Sequence, residues 1–464
     1  MIDRRSVFGL MGAGAVGLSG AGAARASPPP RDVVAALDEL RAGTSTVGGA
    51  IVAVRDGRPI STYMWGKASL PFDVPVTDRT LFHIGSNAKL MTAVAVLQLA
   101  TAAGISLDDP IGAHLPGLPA IMAAAPISSL LHHTSGLPDY SEFFPDWDRP
   151  QTREIVSAAF QDKALAFPTG AAWSYSNTNY LILGWLIEHL SGQSYGDYVR
   201  TRLFEPAGMP TARVDAAQQV VQNRAEPYEI GEDGAIRHAV RMEDGVSRAA
   251  DGGLLLSVQD AGPWRAALDR NRLISAEDMA RVLTPAPLSS GRLAAYGFAV
   301  FLDQTRGAPL LRHSGGVPGF GSYWMTWPEA DLSILAMMNS MGGKGAPMER
   351  MALTLAESIE PGVTWLEQEP MGDGSDARTQ ALRGLLQRPE GAPPASGLLA
   401  SEQAHRDGVQ LPRAPTLQDI RPLERWFIGD GPKQGEMVRY RVWLPTRTAE
   451  LLVGWTDEDQ IYWI

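Results

Sequence analysis

The chain has 464 residues, 45% hydrophobic and 20% charged, with a formal net charge of -11. This is the composition of a globular protein long enough for two or three domains, and its acidic balance argues against a nucleic-acid partner. The chain has no cysteine, which excludes disulfide scaffolds, thiol nucleophiles and cysteine-ligated metals.

Residues 1–26 are predicted to be an export signal rather than part of the fold. The paired Arg4 and Arg5 precede a weakly apolar stretch rich in Gly and Ala, and Ala24-Arg25-Ala26 then places small residues around one spacer. This order is typical of a twin-arginine signal peptide cleaved after Ala26. The alternative, a membrane anchor, is disfavoured because the stretch is short and glycine-rich. The sequence therefore predicts a periplasmic or secreted protein without stable membrane insertion after signal cleavage.

The predicted elements begin with a β-hairpin, in which the apolar runs 48–54 and 60–65 flank the turn pair Asp56-Gly57. A helix is expected over 90–103, with Gly104 as its C-cap. Further helices are predicted over 180–190, 194–204, 260–267, 276–283 and 347–358.

From Tyr296 onward the pattern changes to strands. These are predicted over 296–302, 310–313, 321–327 and 332–338. Strands at both ends of a helical middle indicate an α+β domain whose antiparallel sheet draws on both ends of the chain.

The C-terminal part of the chain, from residue 368 onward, differs from the rest in composition and predicted elements. Residues 368–396 are poor in apolar side chains and are predicted to be a linker with one helix over 378–387. Strands are expected over 437–444, 449–455 and 460–464. The predicted division is a signal peptide over 1–26, a main domain over 27–362, a linker over 363–396 and a small β-rich domain over 397–464.

The helix over 90–103 is preceded by Ser86-Asn87-Ala88-Lys89, the only S-x-x-K in the chain. Residues three apart share a helix face, so Ser86 and Lys89 are expected to be neighbours. A lysine in a first helical turn faces the positive end of the helix dipole, and burial there disfavours its charged form. Lys89 is therefore a candidate proton acceptor and Ser86 a candidate nucleophile. The alternative is that Ser86 only caps the helix, although a capping box would carry Glu or Gln at the third position after the cap.

A second candidate motif, Tyr175-Ser176-Asn177, follows a turn and precedes the helix over 180–190. Tyr175 can exchange a proton if neighbouring cations lower its pKa. The Asn177 amide can accept a hydrogen bond from an ammonium while it donates one to a substrate carbonyl. The alternative is a helix-capping turn with a half-buried tyrosine.

A third candidate motif, His313-Ser314-Gly315-Gly316, ends the strand expected over 310–313. Glycines at such a place let a ligand backbone approach closely. A free backbone N–H there could complete an oxyanion hole with the N–H of Ser86. The alternative is an ordinary glycine-rich strand end.

Other polar and aromatic residues carry weaker signals. The adjacent His132 and His133 diverge on a helix, and the chain has no H-E-x-x-H, so neither a metal site nor a cofactor is predicted. The aromatic stretch from Tyr140 to Trp147 is either a wall of the substrate pocket or packing of a long loop. The polar segment 241–244 is expected to be a solvated loop.

In this order and context, the three motifs resemble those of the serine β-lactamase and DD-peptidase superfamily, on its class C-like, S12-peptidase and esterase side. The stretches that carry the likeness are 82–86, 107–111, 130–138, 173–180, 204–209 and 313–320. The likeness runs from about Val33 to about Ser358 and leaves residues 368–464 uncovered. It implies an α+β fold, with an antiparallel sheet flanked by helices and a mostly helical subdomain.

The resemblance also implies roles. Ser86 would be the acylated nucleophile, and Lys89 and Tyr175 would share the general-base work, with Tyr175 later activating the deacylating water or acceptor. Asn177 would position the substrate amide. The N–H groups of Ser86 and Gly316 would form the oxyanion hole.

His313, which stands just before Gly315 and Gly316 in the third motif, departs from the pattern of the lactamases and many DD-peptidases, which carry a lysine there. A histidine is charged only part of the time near neutral pH, so it is a weaker anchor for a substrate carboxylate. Esterases and D-aminopeptidases of this group often carry histidine at this position. The departure therefore argues against β-lactamase activity and favours neutral or amine-bearing substrates.

Taken together, the sequence predicts an exported serine hydrolase that forms an acyl-enzyme. Its partner would be a small-molecule or peptide substrate, either an amide with a D-residue or a short-chain ester. The alternatives are a true β-lactamase, a slowly deacylating penicillin-binding or cell-wall-interacting protein without turnover, and a purely structural protein. The oligomeric state is left open.

Overall fold

The structure, a computed structural model, describes residues 27–42, 46–149, 151–215, 219–242, 250–342, 348–389, 414–428, 435–445 and 447–463. The predicted signal peptide and the acidic residues of the 241–244 segment lie outside these ranges. Within them, no helix combines the length and the apolar character that crossing a bilayer requires.

The strands of the described residues are numbered in chain order. They are β1 Gly48–Arg55, β2 Arg58–Ser69, β3 Val74–Pro75, β4 Phe82–His83, β5 Arg213–Val214, β6 Tyr228–Ile230, β7 Ile236–His238, β8 Leu254–Leu256, β9 Ala286–Pro287, β10 Leu293–Ala294, β11 Phe301–Thr305, β12 Ala308–Val317, β13 Phe320–Trp327, β14 Leu332–Met338, β15 Ser340–Gly342, β16 Asp419–Phe427, β17 Glu436–Leu444, β18 Arg447–Trp455 and β19 Ile461–Trp463.

The helices are numbered in the same way. They are α1 Arg31–Ala42, α2 Lys89–Ala103, α3 Ala120–Ala123, α4 Ile127–Leu131, α5 Arg153–Ala159, α6 Asn177–Ser191, α7 Tyr195–Val199, α8 Glu205–Ala207, α9 Val258–Asp269, α10 Ala276–Val282, α11 Met348–Ile359 and α12 Ala377–Gln387. Short 3₁₀ turns cover Gly85–Ala88, Ile111–Ala113 and Tyr140–Glu142, and a π-helical turn covers Arg200–Phe204.

A seven-stranded antiparallel sheet organises the larger part of the molecule, in the order β11-β12-β13-β14-β1-β2-β3. Successive side chains of a strand point to opposite faces. In β1, Ala50 and Val52 accordingly join one apolar core, while Ile51 and Ala53 join another on the opposite face. Every residue of β14 is buried, because this central strand is covered on both sides. The prediction of an α+β fold with an antiparallel sheet is confirmed.

Helices cover the two faces of this sheet. α1 and α11 pack on one face, and α9 packs on the other, against β1 and β2. Beyond α9 lies the helical region, in which α2 packs against α6. Gly104 ends α2 in the left-handed conformation, with φ 66°, as the sequence predicted.

The C-terminal residues form a four-stranded antiparallel sheet, β16-β17-β18-β19. Helix α12, in the segment predicted to be a linker, buries Leu382, Leu385 and Leu386 against this sheet. That part of the segment is therefore folded together with the strands that follow it. The division of the chain at residues 362 and 396 stays a prediction.

Most elements expected from the sequence occur within a few residues of their predicted bounds. One strand was placed wrongly at its start, since β11 begins at Phe301 and not at Tyr296. Ala299 has a positive φ of 59°, and the turn it makes breaks the apolar run 296–302. β16 was not predicted, because a proline such as Pro422 is rare within strands and the alternation of polar and apolar residues is interrupted. The charged residues of this strand include Asp419, Arg421 and Glu424. A register shift between Pro422 and Glu424 accommodates the proline.

Candidate active site

Ser86 lies in the 3₁₀ turn Gly85–Ala88, which connects β4 to α2. Strand β12 runs directly beside this turn: a Cβ on Gly85 would lie 2.6 Å from the backbone nitrogen of Gly316, and a Cβ on Gly315 would lie 1.9 Å from the carbonyl oxygen of Ile84. Gly85 also has a φ of +49°. Only glycine satisfies both conditions, so these residues bring the first and third motifs together.

The turn is also tied to the sheet by side chains. Asn87 is buried, and its Nδ2 donates to the hydroxyl of Ser322 on β13 at 2.7 Å. The same hydroxyl donates to the carbonyl of Ile84 at 2.6 Å. These two hydrogen bonds fix Ile84 and Asn87, on either side of Ser86, relative to strand β13.

Lys89 begins α2, is fully buried, and points its ammonium at three oxygen atoms. Its Nζ lies 3.0 Å from Oγ of Ser86, 2.8 Å from Oδ1 of Asn177 and 2.5 Å from the carbonyl oxygen of Asp251. Burial lowers the pKa of Lys89 to about 8, although the charges of Asp251 and Asp139 partly offset this effect. About one such lysine in ten is uncharged at pH 7. Lys89 can therefore accept the proton of Ser86 at neutral pH.

Asn177, the first residue of α6, joins the first motif to the second. Its Oδ1 accepts from Lys89, while its Nδ2 and its backbone N–H donate to Oδ2 of Asp139 at 2.9 and 2.7 Å. Asp139 thus holds the amide in the orientation that presents oxygen to the ammonium. One of the two amide protons is used in this way, which leaves the other for a substrate carbonyl.

Tyr175 lies beside the same group, with its ring centroid 5.1 Å from Nζ of Lys89. The residue is partly exposed, but its hydroxyl oxygen is buried. Burial raises the pKa of Tyr175 above its usual value, and the neighbouring Ser86 hydroxyl only partly opposes that effect. This differs from the expectation that neighbouring cations would lower the pKa, because desolvation dominates and the charges of Asp251 and Asp139 add to it. Among the described residues, the Tyr175 hydroxyl has no hydrogen-bond partner of good geometry. It therefore keeps its proton at neutral pH and is suited to donate it.

His313, on β12, is buried, and both ring nitrogens are occupied. Nδ1 lies 2.6 Å from the carbonyl oxygen of Ser314, and Nε2 lies 3.0 Å from the hydroxyl of Tyr296. Since a carbonyl only accepts, Nδ1 carries the proton and Nε2 accepts from the tyrosine. Burial lowers the pKa of His313 to about 3, so the ring is neutral throughout the physiological range rather than charged part of the time.

Two acidic residues of the site were missed by the sequence analysis. Asp251 supplies the carbonyl that holds Lys89, and its carboxylate accepts from the hydroxyl of Tyr140 at 3.0 Å. Burial raises the pKa of Asp251, an effect that Lys89 and Tyr140 reduce. The glycine pair after Asp251 was the one signal that could have pointed to it. Asp139, which follows Leu137-Pro138, carried no such signal.

A cleft with about 370 Å³ of space, open to solvent, lies at Ser86. It is lined by Ser86, Trp147, Asn177, Met242, Asp251, Gly252, Gly316 and Val317. The open edge of β12 forms one side, because β11 pairs with β12 only as far as Arg312. The described part of the lining contains no arginine, lysine or histidine.

The aromatic stretch divides between its two interpretations. Trp147 lines the cleft, whereas Tyr140 is buried and Phe143 and Phe144 pack against the main core. His132 and His133 are both buried but have different neighbours. The ring of His132 contacts Phe298, while Nδ1 of His133 accepts from Asn179 at 3.0 Å. In the described residues, no group of three or more His, Asp and Glu side chains could hold a metal ion.

Comparison with known proteins extends these observations. The profile of the family described as Beta-lactamase matches residues 33–399, which reaches past Ser358. A penicillin-binding protein from Bacillus subtilis is 28% identical over 329 residues, or 67% of this chain and 72% of the relative. A D-aminopeptidase from Gluconobacter oxydans is 26% identical over 339 residues, or 70% of this chain and 62% of the relative. The chain thus matches less than two thirds of that D-aminopeptidase.

Solved structures show the same fold. The D-amino acid amidase from Ochrobactrum anthropi SV3, complexed with L-phenylalanine, superposes with a TM-score of 0.61 at 24% sequence identity. The superposition covers 71% of this chain and 98% of the amidase. The part of this chain that it covers therefore has the architecture of the amidase.

Proposed function

The chain belongs to the β-lactamase family of serine hydrolases, and from that premise we propose that it is an exported hydrolase acting on neutral or amine-bearing substrates. These substrates are amides and peptides with a D-residue, or short-chain esters. The observation that carries the proposal is the Ser86–Lys89–Asn177 group around the buried Lys89. Among the described residues, no carboxylate is in direct contact with the lysine ammonium, which binds the oxygen of the nucleophile.

The reaction follows from this geometry. Uncharged Lys89 takes the proton of Ser86, whose Oγ lies 3.0 Å away, and Oγ bonds to the substrate carbonyl carbon. The negative charge that develops on the carbonyl oxygen is assigned to the backbone N–H groups of Ser86 and Gly316. The carbon–nitrogen or carbon–oxygen bond then breaks, and the leaving group takes a proton either from Lys89 directly or from Tyr175, which Lys89 then reprotonates. Either way Lys89 is uncharged again. Water hydrolyses the ester on Ser86, with Lys89 as its base.

The charges at the cleft support the substrate class. Lys89 is already occupied by three oxygen atoms, and the neutral His313 offers no fixed cation to a substrate carboxylate. Asp251 lines the cleft, and Asp139 lies behind Asn177. These acidic groups favour a substrate that is neutral or carries an amine. The similarity to a D-aminopeptidase and to a D-amino acid amidase agrees with this choice.

A slowly deacylating penicillin-binding protein remains the second candidate, because a penicillin-binding protein is among the similar proteins. With Tyr175 protonated, the activation of the deacylating water rests on Lys89. An acyl-enzyme that persists for minutes in an intact-mass experiment would favour this candidate.

The test compares initial rates of the protein lacking residues 1–26 on three chromogenic substrates. These are p-nitrophenyl butyrate, D-alanyl p-nitroanilide and a chromogenic cephalosporin. The ester or the anilide should turn over fastest, and Ser86→Ala should lower that rate by about 10⁴-fold or more, since the nucleophile is lost. Ser128→Ala, at a serine away from the cleft, is the matched control. Faster hydrolysis of the cephalosporin would assign the protein as a β-lactamase instead.

Export is tested separately by expression of the full chain. The N-terminus of the periplasmic protein should be Ser27, and replacement of Arg4 and Arg5 by lysine should retain the protein in the cytoplasm. Exported material that still begins at Met1 would contradict the signal peptide.

A further inference from the structure

The C-terminal sheet contacts the main domain at the β11–β12 hairpin, whose second strand carries His313 and Gly316. We propose that Arg439 and Glu424 of this sheet are positioning residues for the active site. They would hold the hairpin and, through it, the third motif. The inference rests on the proposed function, because it assigns the hairpin a part in acylation of Ser86.

Arg439 is the main contact. It lies on β17, is 1% exposed, and its guanidinium carbon stacks 3.8 Å from the ring centroid of Trp365. Its Nη2 donates to Oδ1 of Asp303 at 2.5 Å and to the carbonyl of Gln304 at 2.9 Å. Asp303 and Gln304 both belong to β11. The arginine is thus inserted into the main domain rather than laid on its surface.

Asp303 connects Arg439 to strand β12. Its other oxygen, Oδ2, accepts from Nε of Arg312 at 2.6 Å, and Arg312 precedes His313 directly. Burial alone would raise the pKa of Asp303, but Arg439 and Arg312 together hold it below its usual value. The carboxylate therefore remains charged between two arginines, one from each unit of the molecule.

Glu424 holds the other end of the hairpin. Its Oε1 accepts from the backbone N–H of Gly307 in the hairpin turn at 2.9 Å and from Nε2 of Gln304 at 3.2 Å. An apolar contact adds to these bonds, since Ile428, Met437 and Leu452 of the C-terminal sheet pack with Phe301. The ring of Phe301 lies 5.3 Å from that of His313.

The hairpin needs such support because it is the edge of the main sheet. β11 pairs along its length with β12 and otherwise has only an isolated bridge from Phe301 to Tyr296. Among the described strands, β12 beyond Arg312 pairs with β13 alone. An edge segment with one neighbour is held by half the ladder bonds of a central strand. The described residues of the C-terminal sheet do not line the cleft, so the sheet acts behind the hairpin and not as a lid over the substrate.

Arg439→Leu tests the inference, with Arg441→Leu as the matched control. Arg441 lies two residues further along β17 and binds the backbone carbonyls of Trp365, Leu366 and Gln368. It therefore attaches the same sheet without touching the hairpin. Both variants are compared with wild type in the full chain, at a temperature well below the lowest Tm. The readouts are kcat and KM for p-nitrophenyl butyrate, and the rate at which a fluorophosphonate labels Ser86, followed by intact mass.

Arg439→Leu should lower kcat and the labelling rate at saturating probe by about tenfold or more, part of the effect of losing one oxyanion donor. KM should change less than threefold, and Arg439→Lys should recover part of the loss. Amide hydrogen exchange over 308–317 should accelerate in Arg439→Leu and not in Arg441→Leu. Should Arg439→Leu fail to fold, Glu424→Ala takes its place under the same criteria.

Equal losses of kcat in Arg439→Leu and Arg441→Leu would overturn the inference, because both residues would then only attach the C-terminal sheet to the main domain. Wild-type kcat and exchange in a folded Arg439→Leu or Glu424→Ala would also overturn it. A wild-type protein that is not labelled at Ser86 would overturn the proposed function and the inference with it. Labelling of wild type together with equally fast labelling of Arg439→Leu would overturn the inference alone.

Discussion

Two buried cations, Lys89 in the cleft and Arg439 at the C-terminal sheet, show how the chemistry of a buried cation and of its partners together decides its use. Lys89 faces a hydroxyl, an amide oxygen and a carbonyl, and its pKa falls to about 8. Arg439 faces the carboxylate of Asp303, which stays ionised. Neutral oxygen partners leave the lysine able to exchange a proton, whereas a carboxylate and a guanidinium fix one another in place.

The largest expected effect comes from removing the exchangeable cation. Lys89→Met keeps the length of the side chain but removes the base, and kcat for p-nitrophenyl butyrate should fall by about 10³-fold, within the range of general-base contributions. Lys67→Met, at a lysine paired with Asp73 on the surface, is the control and should retain wild-type kcat. If the kcat of Lys89→Met were within tenfold of the wild-type value, Lys89 would not be the base, and the contrast with Arg439 would fail.

The orientation of Asn177 gives a smaller effect. Asp139→Asn removes the charged acceptor of the Asn177 amide, so the amide loses the orientation that presents its oxygen to Lys89. Loss of such an orienting partner should lower kcat by about 10–100-fold. The pH profile of the variant is the readout that a purely structural role would not move. Unchanged kcat and an unchanged profile would show that Asp139 only caps its own turn.

The pH dependence of the wild-type rate tests whether Lys89 is the base. Below the pKa of the base, kcat/KM should change about tenfold per pH unit. Since uncharged Lys89 is the base and its pKa is about 8, kcat/KM should rise as the pH increases and level off above about 8. His313, whose pKa is about 3, should add no inflection between pH 5 and 8. A rise centred near pH 6.5 that disappears in His313→Gln would show that the histidine titrates instead.

The smallest effect is expected at the fixed pair. Because the folded-state pKa of Asp303 is lowered, its contribution to stability is present above the ordinary aspartate pKa of about 3.9 and is lost as the pH falls below it. The Tm of wild type should therefore fall more steeply below pH 4 than that of Asp303→Asn, which is already less stable at pH 7. Asp162→Asn, at an exposed aspartate of the main domain, is the control and should follow the wild-type curve. Parallel Tm curves for wild type and Asp303→Asn would mean that Asp303 carries no such stabilisation.

Whether a contact of the site can be predicted from the sequence depends on how far apart in the chain the two contacting residues lie. Ser86 and Lys89 share one turn, and their contact follows from helix spacing alone. Asp251 lies 162 residues from Lys89, and Asp303 lies 136 residues from Arg439, so no local pattern announces either contact. The third motif was recognised from its glycines, but the neutral state of His313 depends on Tyr296 and on burial. Burial is a property of the folded chain, which explains why the ring is neutral and not charged part of the time, as the sequence suggested.

The pairing of β1 with β14 has a consequence for the synthesis of this protein. Gly49 lies opposite Met338, so a strand that leaves the ribosome early must wait for one made nearly three hundred residues later. Contacts of such long sequence separation form slowly, and the apolar β1 stays exposed in the meantime. The first hairpin therefore lacks the strand that completes its pairing until about three quarters of the chain has been synthesised.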